Sequence, residues 1–273
     1  MDGEVRPIWP SGKTSGAALT FDFDVDTYTL AEDPSAEGKP GALSQGMYEP
    51  RVAVPLILEL LKRCDVPATF FIPGQVAERF GDSVEEIVAG GHEIAAHGYT
   101  HTSPTDLSAT EEEDELLRAR EVLVGFGVEV SGYRSPSWDF SPATLGLLEA
   151  HGFAYSSNLM DDFRSYLHPG GMIAELPVQW ILDDAAHWWI DMASWTKKIA
   201  TTAEVESIWS EEFVGIADLG GCCVFTMHPA VIGRPARLAF LERMLDQILG
   251  RDDVYLATCA QLAACLPRAS GST

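Results

Sequence analysis

Basic residues are scarce in this chain. Eighteen lysines and arginines stand against forty-one aspartates and glutamates, a formal charge of -23 over 273 residues. An excess of that size repels the phosphate backbone of nucleic acids and anionic membrane surfaces, so neither is an expected partner. Long apolar runs are also missing: no window approaches the roughly eighteen uninterrupted apolar residues that a membrane-spanning helix needs. The opening Met1-Asp2-Gly3-Glu4-Val5-Arg6 has no basic stretch followed by an apolar one, so no secretory signal is expected. Five cysteines, none in CxxC spacing, fit neither a disulfide framework nor a cysteine-held metal, and a reducing cytoplasm is the expected location. Cys222 and Cys223 sit inside an apolar run and read as buried strand. No internal repeat or low-complexity tract is visible.

What the chain does contain is alternation. With 46% hydrophobic residues, it has enough apolar surface for one sizeable core. Short apolar runs at Ala17–Phe23, Ala68–Ile72, Glu93–Ala96, Gly132–Arg134, Ala154–Ser156, Glu175–Val178, Cys222–Met227 and Val254–Ala257 read as strands. Between them, Val52–Lys62, Ala109–Phe126, Pro142–His151 and Ala236–Leu249 carry apolar residues at helical spacing. Ser141-Pro142 reads as an N-cap followed by proline at the first helical position, with Gly152 as the stop. Strands alternating with helices imply parallel pairing, and seven or eight such units imply a TIM-like α/β barrel. One domain over residues 1–267 suffices, with 268–273 as a disordered tail. Thr27–Pro50, rich in Pro, Gly, Ser and acids, is expected to be a long loop at the barrel mouth. The stretch His187–Thr202, with Trp188, Trp189 and Trp195, is either an insertion covering the site or a subunit contact.

The residues that carry chemistry fall at strand ends, where barrel enzymes build their sites. In Phe21-Asp22-Phe23-Asp24, alternation sends both aspartates to one face and both phenylalanines to the other. Two carboxylates on one face repel unless a cation or proton compensates, although an Asp pair can also be a capped turn. Asp26 strengthens the local negative potential. After the third strand comes His97-Gly98-Tyr99-Thr100-His101. Histidines four apart share one face of a helical turn, close enough for both imidazoles to reach one ion. With a carboxylate from the first strand they form a two-His, one-carboxylate set that leaves coordination positions open. His92, before that strand, is expected to cap or face solvent. In Tyr133-Arg134-Ser135-Pro136-Ser137-Trp138, Arg134 is placed to orient a carboxylate and Trp138 to wall a pocket, with a surface turn as the alternative. Met227-His228-Pro229 puts an imidazole where a leaving group takes a proton. Asp161-Asp162 either tunes a histidine or terminates a loop.

Taken in order, these motifs resemble the polysaccharide deacetylase family, also called the NodB-homology or carbohydrate esterase 4 group. An Asp-bearing strand end, HxxxH, RxPxW and a late His-Pro run from Asp22 to Pro229. The resemblance implies a distorted (β/α) barrel of seven or eight strands. It implies Asp22 as catalytic base, Arg134 holding that base, and His228 as general acid. It further implies Asp24, His97 and His101 as metal ligands, and Trp138 in the pocket. The first motif departs from the usual TFDDG, because Phe23 separates the two aspartates. That DxD form, the loop ending Met47-Tyr48-Glu49-Pro50-Arg51, and the segments Glu175–Val178 and Ile181–Asp184 are similar to one branch of the family. The branch holds intracellular peptidoglycan-deacetylase-like proteins, cyclic imide hydrolases and a metal-independent allantoinase, often tetrameric. Tyr48, Arg51, Asp161 and Asp162 are accordingly candidate substrate-pocket residues.

The expected activity is metal-dependent hydrolysis of a non-peptide carbon–nitrogen bond, with zinc as the ion and cobalt or nickel as alternatives. The substrate is either an N-acetylated amino sugar or a small cyclic amide or imide. A catalytically inactive ligand-binding barrel is the rival from another class, and a homo-oligomer is the expected assembly.

Overall fold

The computed structural model describes residues 6–189 and 199–268. Trp195 and residues 269–273 of the expected tail lie outside the described part.

The first strand, β1 (Ser15–Asp22), is buried along its whole length, as befits a parallel strand covered on both faces. Its alternation separates two cores. Ala17, Leu19, Phe21 and Phe23 face the helices, packing with residues such as Ile57, Trp209 and Phe240. Ala18 faces the inside of the sheet, with Phe71, Ala95, Tyr155, Ala174 and Val224 from other strands. Leu262 and Leu266, near the C-terminal end of the chain, join that inner cluster.

The remaining strands are β2 (Thr69–Ile72), β3 (Glu93–Ala96), β4 (Gly132–Tyr133), β5 (Tyr155–Ser156), β6 (Tyr166–Leu167), β7 (Ala174–Glu175), β8 (Cys222–Met227) and β9 (Val254–Leu256). They form one sheet in the order β6-β7-β5-β4-β3-β2-β1-β8, with β9 also paired to β1. Every pairing is parallel except β6 with β7. β9 takes the first half of β1, from Ser15 to Ala17, and β2 takes the second, from Thr20 to Asp22. A single parallel bridge, Asp183 to Thr226, joins the chain beyond β7 to β8 and curls the sheet toward closure. This is the distorted (β/α) barrel that the sequence implies, with the antiparallel β6 added to its parallel strands. Parallel pairing gives the sheet one functional rim, since the segments after β1, β3, β4 and β8 all emerge at the same end.

Local structure departs from expectation in four places. Residues 97–101 are irregular rather than a helical turn, with Gly98 at φ +69° and His101 at φ +65°. The helix after β4 spans Thr144–Ala150 and its N-cap is Ala143. Ser141 accepts from the Ala143 N–H at 2.9 Å and shapes the turn before it, because Pro142 precedes the helix instead of opening it. His92 does not face solvent: it is 91% buried against the Phe70 ring, 5.7 Å between centroids. Finally, Thr27–Pro50 is not a bare loop. It holds short helices at Thr27–Glu32 and Pro40–Leu43 and a 3-10 turn at Pro34–Gly38.

Candidate metal and catalytic site

Three donor groups converge at the C-terminal rim. Asp24 lies just past β1, and its Oδ1 is 3.5 Å from His97 Nε2 while its Oδ2 is 3.6 Å from His101 Nε2. These separations match the edge of a tetrahedron, about 3.4 Å, whose ligands sit about 2.1 Å from a common ion. Asp24 Oδ1 is buried and has no hydrogen-bond partner, which is costly for a carboxylate unless a cation completes it. His97 donates its Nδ1–H to the Arg134 carbonyl at 2.8 Å, so the neutral ring turns the lone pair of Nε2 toward Asp24. Burial lowers the His97 pKa against the upward pull of the Asp22 and Asp24 carboxylates, which favours the neutral ring that a metal ligand requires. Burial pushes the Asp24 pKa up, but the His101, His97 and His228 imidazoles outweigh it and hold the carboxylate ionised. Asp24, His97 and His101 thus fit one divalent ion by distance, donor chemistry and an unsatisfied oxygen.

Asp22 shares the pocket but is held differently. Its Oδ1 accepts from Arg134 Nη1 at 2.7 Å, and its Oδ2 stands 4.0 Å from His97 Nε2. Arg134 is wholly buried. It spends its remaining donors on Thr20 Oγ1 and on the oxygens of Ser157, and its guanidinium lies 4.1 Å over the Phe71 ring. One oxygen of Asp22 is therefore fixed and the other left free.

His228, on the segment after β8, donates from Nδ1 to Asp184 Oδ1 at 2.8 Å, with Asp183 Oδ1 at 3.8 Å. The His228 backbone N–H also donates to Asp184. Burial lowers the His228 pKa, but the hydrogen bond and charge of Asp184, then Asp183 and Asp22, raise it well above its ordinary value. Burial in turn lifts Asp183 to about 7.

Asp22, Asp24, His97, His101, Trp138 and His228 line one cavity of about 230 Å³. Tyr28, Trp180 and Trp189 complete its aromatic walls; Tyr28 and Trp189 meet edge to face at 4.4 Å. Four expected pocket residues lie outside that lining. Tyr48 donates its hydroxyl to the Gly233 carbonyl, under Arg234, and Arg51 is exposed. Asp161 accepts from Tyr166, and Asp162 from Arg164 and the backbone around it. Neither contacts a histidine; Asp183 and Asp184 make that contact instead. The sequence signal for them was the acidic pair itself, displaced 44 positions from its imidazole.

On one parallel barrel, three donor groups able to hold a metal share a cavity with a carboxylate, Asp22, and an imidazole, His228. The polysaccharide deacetylase family model matches residues 45–156. A peptidoglycan deacetylase of Helicobacter pylori is 30% identical over 257 residues, covering 83% of this chain and 88% of that protein. The crystal structure of a candidate polysaccharide deacetylase from Mycobacterium smegmatis superposes with a TM-score of 0.92 at 37% identity, over 99% of both chains. The Puue allantoinase structure matches with a TM-score of 0.83 over 97% of this chain and 94% of that one; at 23% identity, it speaks for the fold alone. The chain belongs to the polysaccharide deacetylase family, hydrolases of carbon–nitrogen bonds other than peptide bonds.

Proposed function

We propose that this protein removes the acetyl group from an N-acetylated amino sugar by metal-assisted hydrolysis. The observation that carries the reading is the cradle of Asp24, His97 and His101, with its unpartnered carboxylate oxygen, beside Asp22 and His228 in one cavity. A divalent ion held there, zinc by donor type with cobalt or nickel as substitutes, supplies Lewis-acid activation of a water and of the amide carbonyl. The free Oδ2 of Asp22 takes the proton from the attacking water as its oxygen bonds to the acetyl carbon. Arg134 keeps Asp22 oriented through its 2.7 Å hydrogen bond to Oδ1. When the carbon–nitrogen bond breaks, its electron pair goes to nitrogen, which takes the proton that His228 holds. Acetate and a free amine result. A raised pKa keeps His228 protonated at neutral pH, which suits a general acid. Trp138 and Trp189 exclude water around the acyl group.

Hydrolysis of a small cyclic amide or imide is the second reading. It is supported by the cavity size, about 230 Å³, below the roughly 300–1,000 Å³ usual for larger ligands. The zinc-loaded protein should release acetate from N-acetylglucosamine or its oligomers. Turnover of succinimide, hydantoin or allantoin, with none of the sugars, would replace the first reading by the second. Protein that binds no zinc or cobalt and acts on neither set would be a binding barrel.

A further inference from the structure

Forty-one acidic residues face eighteen basic ones in this chain, yet one groove reverses the balance. It encloses about 540 Å³ and shares no lining residue with the reaction cavity. Arg234 and Arg237 line it, and no carboxylate does. Gln45 and Thr202 add an amide and a hydroxyl, and Trp188 and Val231 an apolar wall. Both arginines are half-buried, and among the described residues neither meets a carboxylate. The Arg237 side chain donates no hydrogen bond there; its guanidinium lies 5.6 Å over the Trp188 ring. Arg234 gives Nε to the Ala230 carbonyl at 3.2 Å and lies 3.7 Å over the Tyr48 ring, which leaves both its Nη groups unpaired.

The two arginines also open the helix Pro235–Leu249, with Arg234 as its N-cap, and its first turn holds no acidic residue. A helix N-terminus carries partial positive charge, so two cations there are repelled by it as well as by each other. Burial pushes the Arg237 pKa down; Asp184 pulls it up, and the Arg234 charge opposes that pull. Three positive features thus meet in a groove whose own lining offers nothing negative.

We propose that this groove binds a small organic oxyanion, a phosphate ester or a carboxylate, with its head group held by Arg234 and Arg237. Guanidinium forks pair with either oxyanion in the same geometry, and the positive end of the helix adds to the attraction. The volume exceeds what a bare phosphate needs, and the Trp188 wall suits an apolar or ring-bearing body behind the head group. The site stands whatever the reaction cavity hydrolyses.

Titration calorimetry on the zinc-loaded full chain tests it, with inorganic phosphate, phenyl phosphate and benzoate as probes. Phenyl phosphate or benzoate should bind, more tightly than inorganic phosphate, and the tighter of the two names the head group. Arg237→Gln should weaken that binding at least about ten-fold and Arg237→Lys by less. Arg234→Gln is a second variant with the same expected loss, and His97→Ala should bind as the parent does. At about a hundred times its dissociation constant, the probe should raise the melting temperature of the parent by about 5 °C, and that of Arg237→Gln by about half as much or less. An arginine variant that melts lower yet keeps the full probe-induced rise has lost only a structural residue, and the proposal falls. No binding of any probe overturns it too. So does binding that Arg237→Gln keeps and His97→Ala loses, which puts the anion on the ion in the cradle. A dimer that Arg237→Gln dissociates, with no probe bound, gives the arginines to carboxylates of a second copy and also overturns it.

Discussion

Four described non-glycine residues adopt left-handed backbone, and three of them are at the site: Val25 at φ 55°, His101 at 65° and Trp138 at 58°. Bulky or branched side chains there cost about 1–3 kcal/mol each and persist only where the surroundings enforce them. Strain of this kind aims a metal-type imidazole, a pocket indole and the carboxylate before Val25. The proposed roles separate by substitution. Asp22→Asn should keep zinc content and lose turnover by at least about 100-fold, whereas His97→Ala should lose both; equal metal loss in the two, measured by metal analysis, would remove Asp22 from the role of base. Arg134→Met strips the partner from a buried carboxylate and should cost about 3–5 kcal/mol in chemical denaturation as well as activity. The pH profile tests the acid. Because the folded pKa of His228 is raised, its acid form persists through neutral pH and is lost as pH rises through that value. Asp184→Asn takes away its strongest upward influence, so the alkaline limb of kcat should move to lower pH; an unmoved limb would release His228 from proton donation.

Between elements, buried and half-buried glutamates tie the strained segments together. Glu49 accepts the Val25 N–H at 3.0 Å with Oε2 and the Ala230 N–H at 3.2 Å with Oε1, fastening the end of β1 to the segment after β8. Gly46 lets that segment close in, since a Cβ there would fall 1.9 Å from the Val25 carbonyl oxygen. Glu115 does the same for the histidine segment, accepting from the Tyr99 and Thr100 amides at 2.8 and 2.7 Å. Glu49→Gln sets an amide N–H against a backbone N–H and leaves one buried donor unpaired, worth about 1–3 kcal/mol. Zinc affinity and kcat should both fall while the protein still folds; a variant with parental zinc affinity would reduce Glu49 to a packing role. Such ties explain how much the sequence could tell. The eight apolar runs became parallel strands because buried strands have a strong local signature, and β6 escaped because two antiparallel residues have almost none. His97 and His101 were legible as a pair, but their approach by two left-handed residues was not, since helical spacing offers a simpler way to bring histidines together. Glu49 with Ala230, and Asp184 with His228, are 181 and 44 positions apart, and no local pattern encodes pairings that only the closed barrel creates.

Across the whole molecule, acidity is concentrated as well as abundant. Asp22, Asp24, Asp26, Glu49, Asp183 and Asp184 are all buried at or beside the functional rim. Among the described residues, Arg134 on Asp22, Arg79 on Asp26, Arg237 near Asp184 and three histidines stand against these six carboxylates. Among the described residues the rim is short of positive charge, which is expensive away from water. A divalent ion between Asp24 and the two imidazoles would redress the deficit, and would then bind the folded chain in preference to the unfolded one. Zinc at about a hundred times its dissociation constant adds about 2.7 kcal/mol, and for a chain of this size that raises the melting temperature by about 5 °C or more. Scanning calorimetry with and without a chelator should show this shift in the parent protein. It should also persist in Asp22→Asn, which keeps the cradle, and vanish in His97→Ala. Melting that ignores zinc in the parent protein would mean that the orphaned oxygen of Asp24 is answered by something other than a metal, and the proposed hydrolytic site would lose its electrophile.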